Sequence, residues 1–200
     1  MSHIKKVNAA DNRLNEKGSF SLIKGLNKHV QEIDLSNNRI GFHSIEHISN
    51  ILKISSDQLN LRIIKFDNAG IMDAQVCMLI DSLRTCDKPH MIKELSLAMN
   101  QITDIGAEKI AGFLKYSGSA LKTLSLHWNK IKYRGGLKIA ESLLINETVK
   151  VLDLSWNLIG KWELTSLGQL PLSEIKKKLK NQAQPSIQEA YSKLNIEQTY

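Results

Sequence analysis

The chain has 200 residues, 42% of them apolar and 24% charged, with a formal net charge of +7. That is enough apolar chain for one globular domain with a continuous core, and no run approaches the roughly 18 apolar residues of a membrane span. Two cysteines, Cys77 and Cys86, are too few for a secreted disulfide framework. MSHIKK at the start carries no apolar leader segment, so the expected location is the cytoplasm.

The pattern apolar-x-x-apolar-x-apolar-x-x-Asn-x-apolar then governs the chain. It begins at Ile4 (IKKVNAADNRL) and returns at Val30 (VQEIDLSNNRI), Leu61 (LRIIKFDNAGI), Ile92 (IKELSLAMNQI), Leu121 (LKTLSLHWNKI) and Val149 (VKVLDLSWNLI). Steps of 26 to 31 residues are the period of one supersecondary unit per repeat. In each unit the apolar fourth and sixth places alternate, as Leu95 and Leu97 do, which predicts a short strand with one buried face. Farther on the period becomes helical: Leu22 and Leu26, Ile48 and Leu52, Leu79 and Leu83, Ile110 and Leu114, and Ile139 and Leu143 are i, i+4 pairs. A strand, turn and helix cannot bury their apolar faces alone, so neighbouring units must stack, with parallel strands on one side and helices on the other.

The ninth place holds Asn12, Asn38, Asn100, Asn129 and Asn157. An amide there both donates and accepts, and so satisfies backbone groups where the strand ends. The third unit has Ala69 instead, which predicts a looser turn helped by Asn68 or water. Gly18, Gly106 and Gly135, each six places past the Asn, suit a turn into the helix where a side chain would crowd.

Toward the carboxyl end the sixth unit changes: Pro171 takes the place of a helical core residue. LSEIKKKLK follows, with Leu172, Ile175 and Leu179 on one face, and reads as a C-terminal cap. The segment Ser186 to Ile196 has Ile187, Ala190, Tyr191 and Leu194 at helical spacing and Ser186 with Glu189 as a capping box. The organisation is a repeat domain over 1–171, a capping helix over 172–182 and a tail over 183–200 with a short amphipathic helix.

Segments such as LDLSWNLIG at 152–160 and ITDIGAEKIAGFL at 102–114 resemble the leucine-rich repeat family. The period and the full helix are similar to its ribonuclease-inhibitor-like class, and the resemblance covers residues 4 to about 170. It implies an α/β solenoid, a curved right-handed horseshoe segment with a parallel sheet on the concave face and helices on the convex face. The class includes ribonuclease inhibitors, activators of a small GTPase, ciliary subunits and effectors that bacteria secrete into a host cytosol. The resemblance thus implies a protein that holds another protein on its concave sheet. With the first strand expected from Ile4, no separate N-terminal cap is expected, which leaves either an exposed sheet edge or a truncated array; an exposed edge invites self-association.

In such a repeat the second, third, fifth, seventh and eighth places project from the open face. The second place reads Lys5, Gln31, Arg62, Lys93, Lys122, Lys150, a ridge that first suggests nucleic acid. Over the whole face Lys5, Lys6, Arg62, Lys65, Lys93, Lys122 and Lys150 meet Asp11, Glu32, Asp34, Asp67, Glu94 and Asp153. That leaves one net charge, against the surplus of several that a phosphate-tracking groove needs. The eighth place reads Asp11, Asn37, Asn68, Met99, Trp128, Trp156. Three consecutive large apolar side chains there point to a protein-binding patch, since Trp is enriched at interface hot spots. His127 lies beside it, and Lys93, Lys122, Lys150, Glu94 and Asp153 supply charged selectivity. The competing reading has the two tryptophans covering one another and the end of the sheet.

Catalysis has no motif: the chain carries no GxSxG, P-loop or HExxH. His43 and His47 stand i, i+4 on one helix, but two ligands without a third do not make a metal site, and no cofactor is expected. The alternative from another class is a GTPase-activating protein acting through an exposed arginine, Arg13 or Arg134.

Overall fold

The structure is a computed structural model and describes residues 3–54, 60–85, 92–116 and 118–159. Its elements alternate without exception. They are β1 (Lys6–Asn8), α1 (Glu16–Lys24), β2 (Glu32–Asp34), α2 (Phe42–Ile54), β3 (Ile63–Lys65) and α3 (Asp73–Arg84), then β4 (Glu94–Ser96), α4 (Asp104–Leu114), β5 (Thr123–Ser125), α5 (Tyr133–Leu143) and β6 (Val151–Asp153). The strands form one parallel sheet in chain order, β1-β2-β3-β4-β5-β6, with no insertion between neighbours. Each strand is the third to fifth place of its repeat. Register therefore keeps equivalent places side by side, and Val7, Ile33, Ile64, Leu95, Leu124 and Leu152 make one continuous row.

That row, the sixth-place row and the helices enclose a single core. Ile33, Leu35, Ile64, Phe66, Leu95, Leu97, Leu124 and Leu126 are fully buried, as are Ile48, Leu79, Ile110 and Ile139 from the helices. The i, i+4 pairs face inward as the spacing predicts, most fully in α2, α3 and α4. The first unit is thinner, with Val7, Leu14, Leu22 and Leu26 only partly buried against the core. Among the described residues β1 is an edge of the sheet. The capping helix and the tail read from residues 172–182 and 183–200 lie outside the described residues.

The asparagine ladder works between neighbours. Asn38 accepts from the Leu14 amide at 2.8 Å and donates to the carbonyls of Ala9, Leu35 and Ser36. Asn129 and Asn157 repeat this, accepting from Ile102 and Ile131 and donating back to Leu97 and Leu126. Asn12, in the first unit, only donates to its own Ala10 carbonyl and is exposed.

At Ala69 the expected repair by Asn68 does not occur: the Asn68 amide reaches Asn37 Oδ1 on the open face at 3.0 Å. Instead the backbone closes the gap. Ile40 N, the group an asparagine would have received, donates to the Ala69 carbonyl at 3.1 Å, and Leu35 O is held by Asn38. Gly70 follows at φ +74, a conformation that glycine adopts without steric cost.

The three glycines expected in turns sit inside the helices, each as the third residue. The crowding argument fails at Gly18, where a Cβ would meet nothing nearer than Leu14 at 3.4 Å, and holds at Gly106 and Gly135, where the preceding repeat contributes to it. A Cβ on Gly106 would stand 2.6 Å from Asp73 Oδ1, and one on Gly135 would stand 2.7 Å from Asp104 Oδ1. Those carboxylates form a second ladder at the helix starts. Asp73 accepts from the Thr103 amide, the Thr103 hydroxyl and the Gly106 amide, and Asp104 accepts from the Lys132 amide at 2.7 Å. A carboxylate at a helix N-terminus also meets the positive end of the helix dipole.

Candidate protein-binding face

The eighth place is left-handed in every repeat. Asp11, Asn37, Asn68, Met99, Trp128 and Trp156 have φ between 47° and 58°. The geometry continues the backbone ladder past the strand: Asn68 N donates to Ala98 O, Met99 N to His127 O and Trp128 N to Ser155 O, at 2.7–2.9 Å. Asn and Asp accept this conformation readily, whereas a side chain such as Met or Trp costs about 1–2 kcal/mol. The first three units use the tolerant residues and the last three do not. Sequence reading placed these side chains on the open face but missed the backbone strain. The run Asp, Asn, Asn at the same place was the signal that could have shown it.

The strained residues carry the exposed apolar surface. Met99 is 45% exposed, Trp128 52% and Trp156 70%. The two indoles stack, with centroids 5.2 Å apart and planes at 14°. Mutual cover is therefore real, yet it leaves half or more of each ring in water.

Beside the stack three polar side chains are joined. Asp153 Oδ1 accepts from the Ser155 amide at 2.9 Å and lies 2.6 Å from the Ser155 hydroxyl. That hydroxyl is 2.6 Å from Nδ1 of His127, whose ring meets Trp128 edge-on at 6.1 Å. With the Ser155 hydroxyl donating to the Asp153 carboxylate, His127 donates from Nδ1 to the serine oxygen and presents Nε2 outward. Partial burial alone would raise the Asp153 pKa. The Ser155 hydroxyl and amide and the charge of His127 outweigh it and hold the carboxyl below its usual range. Sequence reading did not foresee this trio as a unit, because it joins the seventh places of two repeats. The order of bonds differs from an acyl-transfer triad, where histidine sits between acid and serine; here serine sits between the other two.

The remaining charges of the face sort by partner. Lys6 pairs with Glu32 at 2.7 Å and Lys65 with Glu94 at 2.9 Å, each across neighbouring strands. The bond from Glu94 raises the Lys65 pKa against the opposing effect of burial. Glu94, expected to select a partner, is thus engaged within the sheet. Asp67 accepts from the Ser96 hydroxyl and the Ala98 amide. Lys93, Lys122 and Lys150 are exposed, and Lys150 reaches only the backbone carbonyl of Glu147, at 3.2 Å.

On the helical side His43 meets Glu46 at 3.2 Å and His47 lies edge-on to Phe20 at 5.6 Å. Among the described residues no three His, Cys, Asp or Glu side chains are grouped to hold a metal ion, and no helix is long and apolar enough to cross a membrane. Cys77 is half-buried, and burial raises its thiol pKa. Arg13 lies in the first turn, also left-handed at φ 51, and Arg134 lies at the start of α5. Both are exposed, and the structure brings neither to the aromatic patch.

Comparison with known proteins agrees with this architecture. Residues 26–41, 88–111, 120–140 and 146–161 match a family model described as leucine rich repeat. Over 134 residues, 67% of this chain, the sequence is 27% identical to human NACHT, LRR and PYD domains-containing protein 12, of which that stretch covers 12%. Over 131 residues, 66% of this chain, it is 27% identical to pig ribonuclease inhibitor, of which it covers 28%. The chain therefore spans less than a third of either relative.

Proposed function

Because the chain is a leucine-rich-repeat protein of the ribonuclease-inhibitor-like class, we propose that it is a non-enzymatic interaction module that binds a protein partner on the concave face of its sheet. The observation that carries this reading is the strained, exposed row Met99, Trp128 and Trp156. Backbone strain and water-exposed indoles both disfavour the free protein, and three consecutive repeats bear them at one place. Strained conformations cluster where a ligand is clamped, and tryptophan is enriched among residues that dominate binding energy. His127, fixed by Ser155 and Asp153, adds an oriented imidazole at the patch edge, and Lys93, Lys122 and Lys150 supply charge.

Affinity capture by the wild type beside Trp128→Ala/Trp156→Ala, read by mass spectrometry, tests the reading. The double variant should lose the partner and remain folded, with its midpoint lowered only by the few degrees that losing the indole stack costs. Recovery of the same proteins by both would refute the site.

A further inference from the structure

Resting on that reading, we infer the chemistry of the partner: it presents an acidic segment whose carboxylates lie along Arg62, Lys93, Lys122 and Lys150 and whose apolar side chain seats on Trp128 and Trp156. These four cations occupy the second place of four consecutive repeats. Their strands β3 to β6 are hydrogen-bonded neighbours in register, so the row advances by about 4.8 Å per strand. No described acid neutralises it. Glu94 is held by Lys65, Asp153 by Ser155, and Glu32 by Lys6. Glu147, close to Lys150 in the chain, offers its backbone carbonyl. Arg62 is half-buried and pairs with no described acid, and its guanidinium fork suits an incoming carboxylate.

The count of seven cations against six acids on the face conceals this arrangement, because Glu32 and Glu94 are paired with Lys6 and Lys65 while Asp67 and Asp153 are held by hydrogen bonds at the strand ends, and no described acid pairs with the row. The face is divided, with cations along one edge at the strand starts and indoles along the other at the strand ends. Six places separate the edges, at most about 20 Å at strand rise. A helix with side chains is about 10–12 Å across, so a segment lying over the strands reaches both edges through the long lysines and the indoles.

A single-stranded nucleic acid also combines charge with rings that stack on aromatics, but it fits less well. The two indoles are already closed on each other at 5.2 Å, with no gap for a base between them. Asp153, hydrogen-bonded to Ser155 but paired with no described cation, keeps its charge between the two edges and opposes a backbone charged at every unit. A peptide places carboxylates only over the cations.

The test selects a displayed random dodecapeptide library on the full chain and measures the best labelled peptide by fluorescence anisotropy. Asp and Glu should be enriched together with one aromatic or large aliphatic residue, and affinity should fall steeply with salt. Lys93→Glu/Lys122→Glu and Trp128→Asn/Trp156→Asn should each weaken binding at least tenfold while the protein stays folded. Lys93→Ala/Lys122→Ala, which adds no charge, should show an intermediate loss. Peptides without acidic enrichment that still depend on the tryptophans would overturn this inference and leave the concave-face reading standing. Peptides indifferent to both sets of substitutions, or no enrichment at all, would overturn both. Displacement of the peptide by an equal concentration of a single-stranded oligonucleotide would assign the row to nucleic acid instead.

Discussion

Asn100→Ala removes the rung of the ladder that accepts from two backbone amides, and its cost can be worked out group by group. The Asn100 carbonyl accepts from Ala69 N at 3.1 Å and Ile71 N at 2.9 Å, and its amide donates to Phe66 O at 2.8 Å and Ala98 O at 3.0 Å. Of these, Ala98 O keeps a second donor in Asn68 N. Ala69 N, Ile71 N and Phe66 O lose their described partner, and all three lie in buried backbone. At about 1–3 kcal/mol for each buried group left unpaired, and with water reaching some of the space, the expected loss is about 3–5 kcal/mol. Domains are stable by about 5–15 kcal/mol in total. For a chain of this size each kcal/mol lowers the midpoint by about 2–4 °C, so calorimetry should show a fall of roughly 6–20 °C. Asn12→Ala is the internal control, because Asn12 makes one exposed bond, and its cost should stay within about 0.5 kcal/mol. Equal midpoints for Asn100→Ala and Asn12→Ala would show that the amide is not what holds the turns together.

Ala69→Asn should change stability by less than about 0.5 kcal/mol, since Ile40 N already has a partner in the Ala69 carbonyl; a gain comparable to the Asn100 loss would contradict that. Gly106→Ala drives a methyl to within 2.6 Å of Asp73 Oδ1 and 2.7 Å of Ile102 and should cost about 1–3 kcal/mol. Gly112→Ala on the same helix meets nothing nearer than Arg84 Nη1 at 4.0 Å and should be neutral or stabilising by up to about 1 kcal/mol; denaturant titration of the pair decides. Asp153 is held below its usual range, so its contribution is complete above the ordinary carboxylate pKa and is lost as pH falls through the depressed value. The melting difference between wild type and Asp153→Asn should therefore be widest near neutrality and vanish in strong acid, and a constant difference would remove Asp153 from the linkage.

The fold was legible because the core is written by period. Alternation at the fourth and sixth places and the i, i+4 pairs are local in sequence, and stacking in register turns them directly into rows such as Val7 to Leu152. The ladder of Asn38, Asn100, Asn129 and Asn157 was legible for the same reason. What escaped reading depends on contacts between repeats. Ala69 is tolerated because a carbonyl of one unit turns to an amide of the one before, and Gly106 is needed because Asp73, a repeat away, approaches its Cα. His127, Ser155 and Asp153 become one unit only when two strands lie side by side. The candidate patch was half legible: alternation placed Met99, Trp128 and Trp156 on the open face, but alternation says nothing of the sign of φ.

That sign separates the two explanations of the aromatic row. If Trp128 and Trp156 were retained to cover the sheet, their removal should destabilise the protein. The stack is worth about 0.5–1.5 kcal/mol beyond the area it buries, and Trp156 keeps 70% of its surface in water. Against this stands about 1–2 kcal/mol of left-handed strain at a residue that is neither Gly nor Asn. The terms nearly cancel, so Trp156→Asn, which restores the residue that Asn37 and Asn68 provide at the same place and φ, should leave stability within about 1 kcal/mol of wild type or raise it. Trp156→Ala keeps the strain and loses the stack, and should fall below Trp156→Asn. Binding should respond the other way, with both variants losing about 2 kcal/mol or more of partner affinity. A Trp156→Asn protein that melts well below the wild type would show that the indole serves the fold, and the case for a binding patch on this face would lose its main support.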